Sequence, residues 1–136
     1  MIKLEIAALF AGINLLILIV TAVRVTLSRR ANKVSLGDGG NPAVLRAMRA
    51  HGNAAENIPA AIGAMLILSL LDPVPMWQLQ VFGALFTIGR IVHAYGVSTY
   101  TGIGPGNGRV AGMAMSWAAL IAMALALIWG AIAQTV

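Results

Sequence analysis

Cysteine is absent from this 136-residue chain, and charged residues are scarce. The first absence excludes disulfides, thiolate metal sites and a cysteine nucleophile. Charged residues make up 10% of the chain, against about 25% in an average soluble domain. Apolar residues supply 60%, so the composition predicts a protein of the lipid bilayer.

Metal-ligating residues are also few. His51 and His93 are the only histidines, and no second carboxylate lies near enough in sequence to complete a ligand set, so no metal is predicted. The glycine-rich segment YTGIGPGNGR, residues 100–109, lacks the P-loop spacing and has no strand before it. That segment is therefore interpreted as a loop in preference to a phosphate cradle.

Four segments are predicted to cross the membrane as helices, at about residues 3–28, 42–71, 76–99 and 108–134. Residues 6–23 and 110–136 are uncharged, and each run reaches the roughly 18 to 20 residues that a spanning helix needs. The two middle helices are separated by DPVP, a turn signal. We therefore predict an all-α integral membrane protein, with residues 1–136 forming a single four-transmembrane-helix bundle.

Basic residues indicate how the chain is oriented. The first apolar run is followed by Arg24, Arg29, Arg30 and Lys33, which resemble a stop-transfer flank, so we expect a retained helix and not a cleaved signal peptide. All basic residues except Lys3 fall toward the side of the first and third loops. The positive-inside rule makes that side cytoplasmic and puts both termini on the opposite side. This placement accounts for the net charge of +5 without a nucleic-acid partner.

Three local patterns concern helix ends and helix packing. Asn41 and Pro42 predict a helix start, with Asn as the cap and Pro in the first turn. Asn14 is interpreted as a hydrogen bond between helices. Ala8 and Gly12 have the small-residue spacing that lets two membrane helices approach closely.

The second helix starts with a polar segment, RAMRAHGNAAENIP, at residues 46–59. At about 100 degrees per residue, Arg46, Arg49, Asn53 and Glu56 share one sector of the helix. The stripe descends from the cytoplasmic surface toward the hydrocarbon, and Glu56 is its deepest member. A carboxylate at that depth needs a partner or a wet cavity.

The third helix offers a second polar set in Arg90 and His93. Arg90 is the obvious partner for Glu56. Such a pair is either a buried ion pair that sets the helix register or part of a ligand site, and the residues alone leave both readings open.

Arginines, amides and a carboxylate together suit a small zwitterion with more than one carboxylate. Guanidinium binds carboxylate in a bidentate fork, while glutamate and asparagine accept an ammonium. Glutathione is such a ligand, and its thiol has an ordinary pKa of about 8.5. A cation beside the thiol raises the fraction of thiolate, which is the nucleophile.

RAHGNAAEN followed by Pro59 resembles the second-helix motif Arg-x-x-Arg-Ala-x-x-Asn-x-x-Glu of the membrane-associated proteins in eicosanoid and glutathione metabolism, the MAPEG family. The likeness is strongest to its microsomal glutathione transferases. RRANKVS, GRIVHAYG and PGNGR are similar to the family's first-helix end, third helix and fourth-helix start. The resemblance implies a homotrimer of four-helix protomers that binds glutathione as co-substrate between neighbouring protomers.

The resemblance also implies roles for particular residues. It implies that Arg109 is catalytic and stabilises the glutathione thiolate. Val97 stands where family members often have a tyrosine, and neither Tyr95 nor Tyr100 lies at that tyrosine's helical phase. Implied glutathione contacts are Arg30, Arg46, Arg49, Asn53, Glu56, Asn57, Arg90 and His93.

The implied activity is that of a membrane enzyme which adds glutathione to a hydrophobic small molecule arriving from the membrane lipid, or reduces a lipid hydroperoxide. Two alternatives are a non-catalytic scaffold and a binder of another anionic ligand. A third is a small proton-coupled exporter using Glu56, against which the neighbouring arginines argue because they repel a cationic drug.

Overall fold

The computed structural model describes residues 2–134, which form four long helices. These are α1 at Lys3–Ala31, α2 at Pro42–Leu70, α3 at Met76–Thr99 and α4 at Asn107–Ala133. Each is long and apolar enough to span a membrane, and the described residues include no strand. The predicted all-α, four-helix membrane fold is confirmed. The ends of the predicted domain, at residues 1, 135 and 136, lie outside the described residues.

Local interactions and backbone conformation fix both ends of the first loop. α1 continues past the predicted end at residue 28, and Lys33, with a φ of 57°, then turns the chain out of the helix. Asn41 caps α2 as predicted, because its Oδ1 accepts from the backbone N–H of Ala43 at 2.9 Å and of Val44 at 3.3 Å. The Asn41 amide also donates to Asn32 Oδ1 at 2.9 Å. These bonds set where α2 begins and hence the register of its polar stripe.

The four helices pack in an order that leaves α1 and α4 on opposite flanks. α1 packs against α2 and α3, and α4 packs against α3 and α2, whereas α1 and α4 make no contact within residues 2–134. Many exposed side chains of α1 and α4 are large and apolar, as expected for surfaces that lipid chains cover. The shared core includes Ile6, Ile58, Leu68, Leu79, Phe86 and Met123.

A buried polar bond links α1 to α3. The Nδ2 of Asn14 donates to the Oγ1 of Thr87 at 2.8 Å, and both side chains are buried. The predicted interhelical role of Asn14 is confirmed. The close approach predicted for Ala8 and Gly12 is wrong within the protomer, because both residues are exposed and nothing lies within 4 Å of a Cβ built on Gly12.

Glycines instead bring α3 and α4 into backbone contact. A Cβ added to Gly112 would lie 2.3 Å from the backbone nitrogen of His93, and one added to Gly96 would lie 2.5 Å from that of Arg109. No other residue type allows such distances. Gly108 and Gly112 have the spacing of a membrane helix-packing motif, and this signal was missed in the sequence. The contact places His93 and Arg109 on facing helices.

Lys3 closes the opposite end of the bundle. Its Nζ donates to the carbonyl oxygens of Leu71 at 2.6 Å and Val74 at 3.2 Å. We expect Lys3→Met to keep the side-chain length, remove both bonds and lower the free energy of unfolding by about 1–3 kcal/mol. Thermal unfolding in detergent measures the change, with Lys33→Met, an exposed lysine in the first loop, as control. Equal shifts in the two variants would contradict the assigned role.

Candidate functional site

A polar cavity of about 340 Å³ opens between α2, α3 and α4, and we call it the deep cavity. Arg49, Asn53 and Glu56 line it from α2, since residues spaced four and then three apart share a helix face. The predicted polar stripe thus faces a cavity. The full lining is Leu45, Met48, Arg49, Gly52, Asn53, Glu56, His93, Val97, Arg109 and Met113.

Arg90 lies behind this cavity and is not among its lining residues. Its side chain is only 2% exposed. The Nε donates to Ser116 Oγ at 2.8 Å, and the Nη1 donates to Asn53 Oδ1. The expected pair of Arg90 with Glu56 is therefore replaced by a bond to Asn53, which points toward α3 while Glu56 stays exposed.

This bonding gives Arg90 a positioning role in the site. The guanidinium joins α3 to Asn53 on α2 and to Ser116 on α4, and it lies 5.6 Å from the centroid of the Phe86 ring. The Oδ1 of Asn53 accepts from Arg90, and its Nδ2 supplies the donors of this side chain. The sequence patterns did not predict a role for Ser116. It lies one turn after Gly112, and its Oγ donates to the Gly112 carbonyl oxygen at 2.7 Å.

His93 faces the deep cavity from α3. Its side chain is 3% exposed, and among residues 2–134 its Nε2 has no hydrogen-bond partner. A buried polar atom without a partner is costly. His93 also belongs to the wall of the deep cavity.

Arg109 stands where three spaces meet. It lines the deep cavity, a second polar cavity near the third loop, and an apolar groove on the outer face of α4. The groove measures about 640 Å³, and Val110, Met113 and Trp117 line it with Arg109. Arg109 and Met113 therefore connect a polar cavity to an apolar groove on the outside of the protomer.

The second polar cavity, which we call the loop cavity, also measures about 340 Å³. Arg46 and Arg49 line it from α2, Arg109 lines it from α4, and parts of residues 100–106 complete its wall. Arg49 and Arg109 belong to both polar cavities, so the two are neighbours. Of the two polar cavities, Arg46 lines only the loop cavity, and its role toward glutathione stays a prediction.

Two more predicted contact residues lie outside the deep cavity of the protomer. Arg30 lines a separate depression with Arg29 and Lys33 at the end of α1. The Nδ2 of Asn57 donates to the backbone oxygen of Asn53 at 2.8 Å, and Asn57 does not line the cavity.

The tyrosines follow the expectation only in part. Tyr95 is 68% exposed and points away from the deep cavity. Tyr100 follows the end of α3, so helical phase does not govern it, and it lines the loop cavity with its hydroxyl donating to the Ile103 oxygen at 3.1 Å. Val97 lines both polar cavities. The deep cavity is therefore walled by an aliphatic side chain at the position where the resemblance implies a tyrosine.

Comparison with known proteins agrees with this architecture. Two relatives, each named inner membrane protein YecN, come from Escherichia coli strain K12 and from strain O6:H1. Each is 34% identical over 124 residues, which cover 91% of this chain and 91% of the relative. The MAPEG family matches residues 7–129. That match takes in all of α2 and α3, most of α1 and α4, and every residue lining the two polar cavities, so this integral, multi-pass membrane protein belongs to the MAPEG family.

Proposed function

We propose that this protein is a membrane-bound glutathione transferase, with peroxidase activity toward lipid hydroperoxides. Membership of the MAPEG family supports a glutathione-transferase-like function at the level of the family. The observation that carries the proposal is the position of Arg109 between the polar deep cavity and the apolar groove. A thiolate held beside Arg109 meets a hydrophobic substrate that enters from the bilayer.

The deep cavity offers complementary groups for each charge of glutathione. Arg49 supplies a bidentate fork for one carboxylate, and the Nδ2 of Asn53 supplies a further donor. Glu56 accepts the ammonium group. The Oδ1 of Asn53 already accepts from Arg90, so we assign the ammonium to Glu56.

The chemistry requires no nucleophile from the protein. The thiol of glutathione loses its proton to water at the cavity mouth, and the guanidinium of Arg109 stabilises the resulting thiolate. The sulfur then forms a bond to the electrophilic carbon, and the leaving group departs with its electron pair. With a hydroperoxide, sulfur attacks the terminal oxygen, the O–O bond breaks and the alkoxide takes a proton. The sulfur then carries a hydroxyl group, and a second glutathione displaces it to give the disulfide and water.

The exposed face of α2 supports assembly into a homotrimer, which is part of the proposal. Arg49 and Glu56 are exposed on a membrane helix, and open space lies around Gly52 and Gly63. Polar side chains inside a bilayer need cover from protein or water. Neighbouring copies provide that cover and bring Arg30 toward the deep cavity from outside the protomer. The positive-inside rule supports placing the first and third loops in the cytoplasm.

Calorimetric titration of the detergent-purified protein with glutathione tests the proposal. We expect wild type to bind and Arg49→Ala to bind at least about tenfold more weakly, because a bidentate charged contact is lost. Arg24→Ala is the matched control, since Arg24 is an exposed arginine of α1 outside both polar cavities. The proposal fails if wild type shows no binding at millimolar glutathione, or if the control loses as much affinity as Arg49→Ala.

A further inference from the structure

In the protein without glutathione, the loop cavity carries a positive charge that none of its own lining residues balances. Three arginines line it, namely Arg46, Arg49 and Arg109, and none of its lining residues is acidic. Glu56 lines the deep cavity and does not line the loop cavity. Clustered guanidinium groups without a carboxylate repel one another, so this cavity favours an anionic occupant.

The backbone around the cavity adds N–H groups, which carry partial positive charge. α4 begins beside the cavity, which Gly106 and Arg109 both line. No side chain caps α4, and its first turn contains no acidic residue. The first N–H groups of a helix lack partners within the helix and favour anions. A Cβ on Gly106 would lie 2.6 Å from the ring of Tyr100, so a larger residue would disturb this wall.

We propose that the loop cavity is a second anion site, which takes a phosphate-type group such as a phosphate monoester or a diphosphate. A dianion with three terminal oxygens matches three guanidinium groups and nearby N–H donors better than a single carboxylate does. The glycine-rich loop thus contributes a wall of the site without P-loop spacing. The site lies beside the proposed glutathione site and shares Arg49 and Arg109 with it, so Arg46 is the arginine that lines the loop cavity and not the deep cavity.

The test uses inorganic pyrophosphate as the probe, without glutathione, on the full chain in nanodiscs of phosphatidylcholine at fixed ionic strength. We expect wild type to bind it and Arg46→Gln to bind about tenfold more weakly, because Arg46 lines only this cavity. Arg46→Lys, which keeps the charge but loses the fork, should lie between them. The thermal midpoint of each variant verifies that it is folded.

A matched substitution separates this site from the rest of the protein. Arg24→Gln removes a positive charge outside the cavity and should leave pyrophosphate affinity within about twofold of wild type. Malonate, a dicarboxylate, should bind more weakly than pyrophosphate. Absence of binding to wild type, equal losses in Arg24→Gln and Arg46→Gln, or equal affinity for malonate would each overturn the proposal.

A second arm identifies the source of the phosphate group. Nanodiscs that contain phosphatidic acid should abolish pyrophosphate binding if a lipid headgroup occupies the cavity, whereas retained binding would assign the cavity to a water-soluble phosphate compound. Both results support an anion site. Glutathione is titrated separately. Binding of pyrophosphate without binding of glutathione would contradict the proposed function and support this site. Binding of glutathione without binding of pyrophosphate would support the proposed function and contradict this site.

Discussion

Arg109→Ala is expected to retain glutathione binding while losing the thiolate at neutral pH. Arg109 is the cation at the junction of the deep cavity and the apolar groove, where the proposed function puts the reacting sulfur. Loss of a charged group that stabilises a developing or bound anion lowers kcat/KM by about a hundredfold or more. The ultraviolet absorbance of the thiolate, calorimetry with glutathione, and the rate with a hydrophobic electrophile measure the three quantities.

Two further variants give this prediction its controls. Arg109→Lys keeps a positive charge at the same place and should recover part of the thiolate absorbance. Arg24→Ala removes an arginine from outside the polar cavities and should behave as wild type in all three measurements. If Arg109→Ala loses glutathione affinity in proportion to its activity, Arg109 anchors the ligand and its assignment to the thiolate is wrong.

Gly112→Ala is expected to separate α3 from α4 and to lower the free energy of unfolding by about 3 kcal/mol. The added methyl group would lie 2.3 Å from the nitrogen and 2.6 Å from the Cα of His93, and 2.7 Å from the oxygen of Gly89. These are backbone atoms, so no side chain can rotate to relieve the overlap. The helices must move apart, which also strains the bond between Arg90 and Ser116.

Gly12→Ala is the matched control, because it makes the same chemical change where no atom lies within 4 Å of the new methyl group. It should leave stability unchanged or raise it by up to about 1 kcal/mol, since alanine favours a helix over glycine. Unfolding of both variants in the same detergent, followed by circular dichroism, compares them. Equal stabilities would show that α3 and α4 adjust at Gly112 without loss, contrary to this assignment.

The buried guanidinium of Arg90 explains why the deep cavity is organised without an ion pair to Glu56. Arg90 is held by Ser116, by Asn53 and by the face of the Phe86 ring. Neutral oxygens and an aromatic face stabilise a buried cation while leaving its charge uncancelled. Glu56 therefore remains available to a ligand.

Local chemistry in the sequence determined the helices and the stripe. Uncharged runs, the DPVP turn and the Asn41 cap depend on neighbours in the chain, so they located the four spans to within a few residues of the observed ends. Helical periodicity alone put Arg49, Asn53 and Glu56 on one face, and that face does line a cavity. Asn14 was identified because an amide in a hydrocarbon helix needs a partner.

Contacts between helices depend on the rotation of each helix about its axis, which only the tertiary structure decided. Backbone contact at Gly96 and Gly112 sets the rotation of α3 against α4. That rotation directs Arg90 to Asn53 and Ser116, so Arg90 does not pair with Glu56. The same packing brings the third loop beside Arg46 and leaves Arg30 on another surface. Residues far apart in the chain meet through steric fit between whole helix faces, and periodicity within one helix carries no information about that fit.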